Sequence, residues 1–322
     1  QSDSKAYTST LLLASLTALM HHGTMLFTGA PGIGKTTCAE FAGHFFTDTK
    51  LDDILEAEIL GNTQLKTEEL VASLDIHELT KPGGKKVVLP SKFLKCPVKI
   101  WDEVNRTPAD LVSSAMKLVD IGKAVYQGEL LTSPPGVLFA TANYADEGTF
   151  QLTPPFLDRF DAAVMVTSPQ QWDLCDIRKR GDKKLNSDLD KLLQIPEDLH
   201  LDHETIRSEI KNLPEVTEYD IPLVSSFADF VYGSLRFSGI ASDNLARCTK
   251  GNAWQINQNE VSLEHFQDAP FVYTINELSV RTAETMMRYA KAFAWFKGKE
   301  KVELEDLKTM LPYLLWHKLQ PA

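Results

Sequence analysis

Eight consecutive residues constrain this chain more than anything else in it: Gly29-Ala30-Pro31-Gly32-Ile33-Gly34-Lys35-Thr36 follow the pattern G-x-x-x-x-G-K-[ST]. They sit between apolar Met25-Leu26-Phe27-Thr28, which reads as a strand, and residues 35 to 46, which read as a helix. Glycines at such a joint let the backbone turn its N–H groups inward, and the helix start adds a positive dipole end. The result is a cradle for phosphates. Lys35 is placed to reach the outer phosphates and Thr36 to hold magnesium, with Thr37 completing the nucleotide-contacting set 29 to 37.

The rest of the first half supports a largely parallel, covered α/β sheet. Apolar strands are readable at 98 to 101, 137 to 141 and 162 to 166, with 108 to 119 helical between the first two and a leading helix over 9 to 22. Two inserts interrupt the alternation. The first holds a helical stretch, 67 to 74, then the turn-rich basic loop 81 to 86 before Val87-Val88-Leu89; the second is a hairpin over 123 to 131, turning at Gln127-Gly128. After Ser168 the strand signals fade, and 202 to 211, 222 to 235, 275 to 296 and 303 to 316 read as helices. The expected organisation is a nucleotide domain over 1 to 168 and an all-helical domain over 169 to 322, in keeping with a length of 322 residues.

Val98-Lys99-Ile100-Trp101-Asp102-Glu103 is a strand ending in two carboxylates. Alone, such a pair reads as a solvated turn. Downstream of a phosphate loop, Asp102 becomes the magnesium residue and Glu103 the general base that polarises the attacking water. Val137-Leu138-Phe139-Ala140-Thr141-Ala142-Asn143 is a second strand ending in a polar group, and Asn143 is suited to orient that water. Together these motifs define an ATPase of the phosphate-loop class, with ATP and Mg2+ as its cofactors.

At this point the sequence resembles the AAA+ ATPases, and within them the MoxR family of the magnesium-chelatase-like, helix-2-insert branch. The resemblance rests on residues 29 to 36, Trp101-Asp102-Glu103-Val104-Asn105-Arg106-Thr107-Pro108, Ala140-Thr141-Ala142-Asn143, Glu147-Gly148-Thr149, Leu157-Asp158-Arg159-Phe160 and Ser279-Val280-Arg281. It implies a core with a five-stranded parallel sheet and a helical lid. It also implies that Asn143 is sensor 1, Arg159 an arginine finger offered to a neighbouring subunit, and Arg281 sensor 2, acting in its own subunit or in trans. A homo-oligomeric ring, expected to be a hexamer, would hydrolyse ATP and remodel or activate a partner complex, with a von Willebrand A domain protein as the expected partner type. The family's inserts face the ring pore, so 81 to 86 and Tyr126 could meet a protein client; a solvated basic turn and an edge hairpin are the plain alternatives. Trp101 stands where the family has a small or aliphatic residue, Ser-Val-Arg where Ser-Pro-Arg is usual, and 172 to 273 is longer and less family-like.

The alternative function is a nucleic-acid-associated motor or restriction-type NTPase. Against it, 33 Lys+Arg and 44 Asp+Glu leave a net charge of -11, which opposes a phosphate backbone. No apolar run is long enough to span a bilayer, and no secretory signal pattern is present, although the first residue is Gln1 and a processed start is expected. Four scattered cysteines, at 38, 96, 175 and 248, suggest free thiols and a cytoplasmic setting. His200-Leu201-Asp202-His203-Glu204 offers metal-ligand types but reads as a capped helix start, and Cys38 reads as helix packing although a positive helix end could lower its pKa.

Overall fold

The structure, a computed structural model, describes residues 10–20, 23–143, 149–167, 202–236 and 278–319. The chain divides into two compact units, residues 1–208 and 209–322. The boundary expected near Ser168 falls at the head of 168–201, which lies outside the described residues, as do His21, His22, the Glu147-Gly148 motif positions and the polar segments 179–193 and 244–267.

In the first unit, helix α1 (Thr10–Leu19) leads into β1 (Thr24–Thr28), the phosphate loop and α2 (Lys35–Phe46), followed by α3 (Leu51–Ala57) and the two-residue β2 (Ile59–Leu60). A first excursion carries α4 (Thr67–Leu70), β3 (Ala72–Leu74), α5 (Ile76–Thr80), β4 (Val88–Pro90) and α6 (Lys92–Lys95). Next come β5 (Val98–Asp102), a 3-10 turn (Val104–Arg106) and α7 (Ala109–Ile121). A second excursion, the hairpin β6 (Lys123–Tyr126) and β7 (Glu129–Thr132), precedes β8 (Val137–Ala142), α8 (Pro154–Leu157) and β9 (Ala162–Met165).

Five strands form one parallel sheet in the order β2-β5-β8-β1-β9. All six residues of β8 are buried, as expected of a strand covered on both faces. The register pairs Thr28 with Ala142 and Trp101 with Ala140, so the C-terminal ends of β1, β5 and β8 finish side by side. In open parallel sheets ligands bind at that edge. Close packing behind it is set by small residues: a Cβ on Gly43 of α2 would stand 2.5 Å from Val98 Cγ1. The Trp101 departure is absorbed without touching the acids. Its ring is fully buried, meets Phe93 edge-on at 6.2 Å, and its Nε1 donates to Thr107 Oγ1 at 3.3 Å.

The first insert differs from its expected form. Of the stretch 67 to 74 only Thr67–Leu70 is helical; Ala72–Leu74 is a strand, antiparallel to Val88–Pro90, with Ala72 buried. A short helical pattern yields here to backbone pairing with a segment fourteen or more positions away. The second insert is the expected hairpin, with Gln127 and Gly128 at positive φ in its turn. The two inserts touch: Tyr126 Oη donates to Glu68 Oε1 at 3.4 Å and Lys86 Nζ to the Gln127 carbonyl.

The division between the units falls within α9 (His203–Asn212). Beyond it lie α10 (Leu223–Arg236), α11 (Val280–Phe296) and α12 (Leu304–Leu315). A small hairpin, β10 (Thr217–Glu218) and β11 (Ile221–Pro222), precedes α10 and turns on Tyr219 and Asp220, both at positive φ. Met286, Tyr289, Ala290 and Phe293 of α11 share one helical face and are buried, as are Leu307, Met310 and Leu314 of α12. Glu303 and Asp306 form a capping box at the start of α12, where Lys299 Nζ meets buried Asp306 at 2.8 Å.

Candidate active site

Gly29, Ala30, Pro31, Gly32, Ile33 and Gly34 connect β1 to α2 in a tight loop, with Gly29, Gly32 and Gly34 all at positive φ. Gly29 is also hemmed in: a Cβ there would lie 2.5 Å from the Val166 carbonyl oxygen. Helix α2 starts at Lys35 without a side-chain cap, so its first-turn amides are left for an anionic ligand or water. Lys35 is buried at 6% exposure, and its Nζ donates to the Gly29 carbonyl at 3.0 Å, the Ala30 carbonyl at 2.7 Å and Asn143 Oδ1 at 2.8 Å. Burial pulls the Lys35 ammonium below its ordinary pKa, partly offset by the charges of Asp102 and Glu103. Thr37 faces solvent beside Thr36.

The two carboxylates diverge at the end of β5. Asp102 Oδ1 accepts from Thr36 Oγ1 at 2.8 Å and from Thr141 Oγ1 at 2.5 Å. Glu103 turns away in the left-handed region, at φ 50 and ψ 45, an uncommon conformation for a residue with a Cβ. Its N–H donates to Thr141 Oγ1 at 2.9 Å, its Oε1 accepts from Asn143 Nδ2 at 2.6 Å, and its Oε2 pairs with Arg106 Nε at 3.0 Å. One amide therefore joins the lysine of the phosphate loop to the second acid. The backbone of Asn143 is held in turn, its carbonyl accepting from Asn105 Nδ2 at 3.1 Å.

The structure thus brings Lys35, Thr36, Asp102, Glu103 and Asn143 together, and leaves Arg159 elsewhere. Arg159 precedes β9, and its carbonyl accepts from Thr24 Oγ1 at 2.9 Å at the start of β1. The phosphate loop leaves the other end of β1, so the five-residue strand separates the two by its full length, about 15 Å. Arg281 is the second residue of α11, exposed, in the other unit. Thr36 and Asp102 supply a hydroxyl and a carboxylate, hard oxygen donors of the kind magnesium takes.

Four further residues belong to this neighbourhood and were assigned no role by the sequence patterns. Thr141 bridges the two acids, and Arg106 pairs with Glu103. Glu40 and Glu58 complete an acidic flank. Burial raises the Glu40 carboxyl, with Asp102 adding to it; burial, then Glu40 and Asp102, raise Glu58 to about 7. The available signal for Glu40 was its place one helical turn after Thr36. Glu58 also lines a hollow of about 360 Å³ with Glu56, Leu60, Asn62, Lys92 and Phe93, a lining that includes no phosphate-loop residue.

Of the 200 to 204 stretch, His200 and Leu201 lie outside the described residues; His203 Nδ1 pairs with Asp48 Oδ1 at 3.0 Å. Burial pushes the Cys38 thiol up to about 11, so the helix end does not activate it. Cys38 and Cys96 are free thiols.

Residues 24–160 match the family described as AAA domain (dynein-related subfamily), and residues 277–322 match the AAA lid domain. A comparison with curated proteins gave no match. Among solved structures, one from Cytophaga hutchinsonii ATCC 33406, described as a "putative ATPase", is similar in fold with a TM-score of 0.66 at 18% identity, covering 97% of this chain and 81% of that one. With an AAA domain built on a parallel five-stranded sheet and an AAA lid following it in the sequence, the chain belongs to the AAA+ ATPases.

Proposed function

We propose that this chain is a MoxR-type AAA+ protein that assembles as a ring, expected to be a hexamer, hydrolyses ATP to ADP and phosphate with Mg2+, and uses the cycle to remodel or activate a partner protein complex. The observation that carries the hydrolytic part is the unbroken contact series from Lys35 through Asn143 to Glu103, alongside the Thr36 and Asp102 pair. Lys35 and the loop amides would bind the outer phosphates. Thr36 and Asp102 would hold Mg2+, which supplies charge neutralisation on the phosphates when bound. Glu103 accepts the proton of the attacking water, and Asn143 orients that water.

Arg159 supports the ring. Its backbone lies at the end of β1 opposite the phosphate loop, which supports a role toward a neighbour's nucleotide, as an arginine finger has. Arg281 is read as sensor 2 on the lid. The tied inserts support a shared client-facing element: the tip carries Lys81, Lys85 and Lys86, and the hairpin exposes Val125 at 71% and Leu130 at 63%. A von Willebrand A domain partner rests on the MoxR resemblance. A cytoplasmic setting fits the free thiols, and among the described residues no helix is long and apolar enough to cross a membrane.

Nucleotide binding and turnover by wild type, Lys35→Ala and Glu103→Gln test this reading. Lys35→Ala loses ATP binding; Glu103→Gln keeps it while turnover falls by about 10²-fold or more. Glu103→Gln hydrolysing at the wild-type rate would overturn the base assignment, and DNA-stimulated, salt-sensitive turnover or a preference for GTP would favour the nucleic-acid reading.

A further inference from the structure

Thr141 is the polar residue of an otherwise apolar strand: β8 reads Val137-Leu138-Phe139-Ala140-Thr141-Ala142 and is buried throughout. Its side chain has 0% exposure, where a hydroxyl costs free energy unless it is hydrogen-bonded. The sheet decides its partners. β5 runs parallel to β8 with Ile100 paired to Phe139 and Trp101 to Ala140, so the next position on each strand sets Asp102 beside Thr141. Side chains alternate along both strands, which puts these two on the same face.

Both halves of the hydroxyl are used. A carboxylate only accepts, so Thr141 Oγ1 gives its one proton to Asp102 Oδ1, at 2.5 Å. Its lone pair takes the Glu103 N–H at 2.9 Å. Turning the O–H toward Glu103 would set it against another donor, so its direction is fixed. Thr36 Oγ1 donates to the same Oδ1 at 2.8 Å. Both hydroxyls therefore fall on one oxygen, and among the described residues Asp102 Oδ2 takes no hydrogen bond or ion pair.

We propose that Thr141 is a positioning residue for the divalent cation: it fixes the rotation of the Asp102 carboxylate, holding Oδ1 within the protein and leaving Oδ2 to the cation. This rests on Thr36 and Asp102 being the magnesium pair. An aspartate carboxylate can turn about two bonds, and magnesium demands near-ideal octahedral placement of its oxygens, so an unheld carboxylate binds it less well. Threonine is stiff at χ1, which makes the group that holds Asp102 itself well placed. Valine at 141 keeps the shape and removes the hydroxyl; serine keeps the hydroxyl and removes the methyl.

Mn2+ is the probe, its binding to wild type, Thr141→Val, Thr141→Ser and Asp102→Asn followed by electron paramagnetic resonance with a non-hydrolysable ATP analogue present. Thr141→Val is expected to weaken Mn2+ binding about 10-fold or more, as loss of a residue that orients a metal ligand does, while affinity for the analogue without divalent cation stays at the wild-type value. Thr141→Ser stays within about three-fold of wild type, because the donor to Asp102 is retained. Thr141→Val that binds Mn2+ as tightly as wild type overturns the assignment. So does Thr141→Ser weakened as much as Thr141→Val, since loss of packing would then account for both. Valine favours strands; should Thr141→Val nonetheless fail to fold, Thr141→Ala carries the same comparison. Asp102→Asn that keeps full Mn2+ binding defeats the magnesium pair instead, so the two failures are distinguishable.

Discussion

Lys99 is the second residue of β5, at 5% exposure, and its Nζ donates to the Cys96 carbonyl at 2.6 Å. Burial lowers its pKa from 10.5 to about 8, with Cys96 opposing the shift. The unfolded chain therefore binds this proton more tightly than the folded one, so the contribution of Lys99 to stability rises with pH between about 8 and 10.5. Below that window the fold carries the full penalty, about 3 kcal/mol by linkage. Lys99→Met is expected to be more stable than wild type at pH 7 by roughly that amount, the difference shrinking to nothing by about pH 10.5. Denaturant unfolding across this range measures it, and a difference that does not change with pH contradicts it. The same residue shows the limits of a pattern reading. Lysine between two apolar neighbours near the start of a strand gives no sign of its depth, which is set by strands brought in from elsewhere in the chain.

At the scale of elements, the strand, loop and helix around the phosphate site were legible because their chemistry is local. Positive φ at Gly29, Gly32 and Gly34, the uncapped start of α2 and the paired acids closing β5 all lie within short stretches of sequence. Thr141 and Arg106 stood inside quoted motifs without a role, because their meaning depends on the register of β5 against β8 and on a 3-10 turn. The β3 strand was read as helix for a similar reason: its partner β4 lies beyond an intervening loop. Glu58 became visible only when β2 paired with β5. Gly61 makes the coupling of elements testable. Its N–H donates to the Asp102 carbonyl at 2.7 Å, and a Cβ would meet Thr107 Oγ1 at 2.8 Å as well as the Glu103 carbonyl. Gly61→Ala should cost about 1–3 kcal/mol of stability by overpacking and reduce kcat more than ATP affinity, because the displaced turn carries the proposed base but not the phosphate loop. Calorimetry with steady-state kinetics checks it; an unchanged kcat would show that the turn tolerates the shift.

For the whole molecule, the proposed reading has the consequence that one chain would hold an incomplete site. Its sheet gathers Lys35, Thr36, Asp102, Glu103 and Asn143 at one edge and keeps Arg159 at the other. The net charge of -11 opposes binding to a nucleic-acid phosphate backbone. The most direct measurement is specific ATPase activity against protein concentration for wild type, Arg159→Ala, Glu103→Gln and an equal mixture of the two variants. Each variant keeps what the other lacks. A shared site predicts activity that climbs with concentration, falls by about 10³-fold in Arg159→Ala, and returns in part on mixing. Concentration-independent turnover with Arg159→Ala as active as wild type would contradict it, and would leave a phosphate-loop enzyme that completes its site alone.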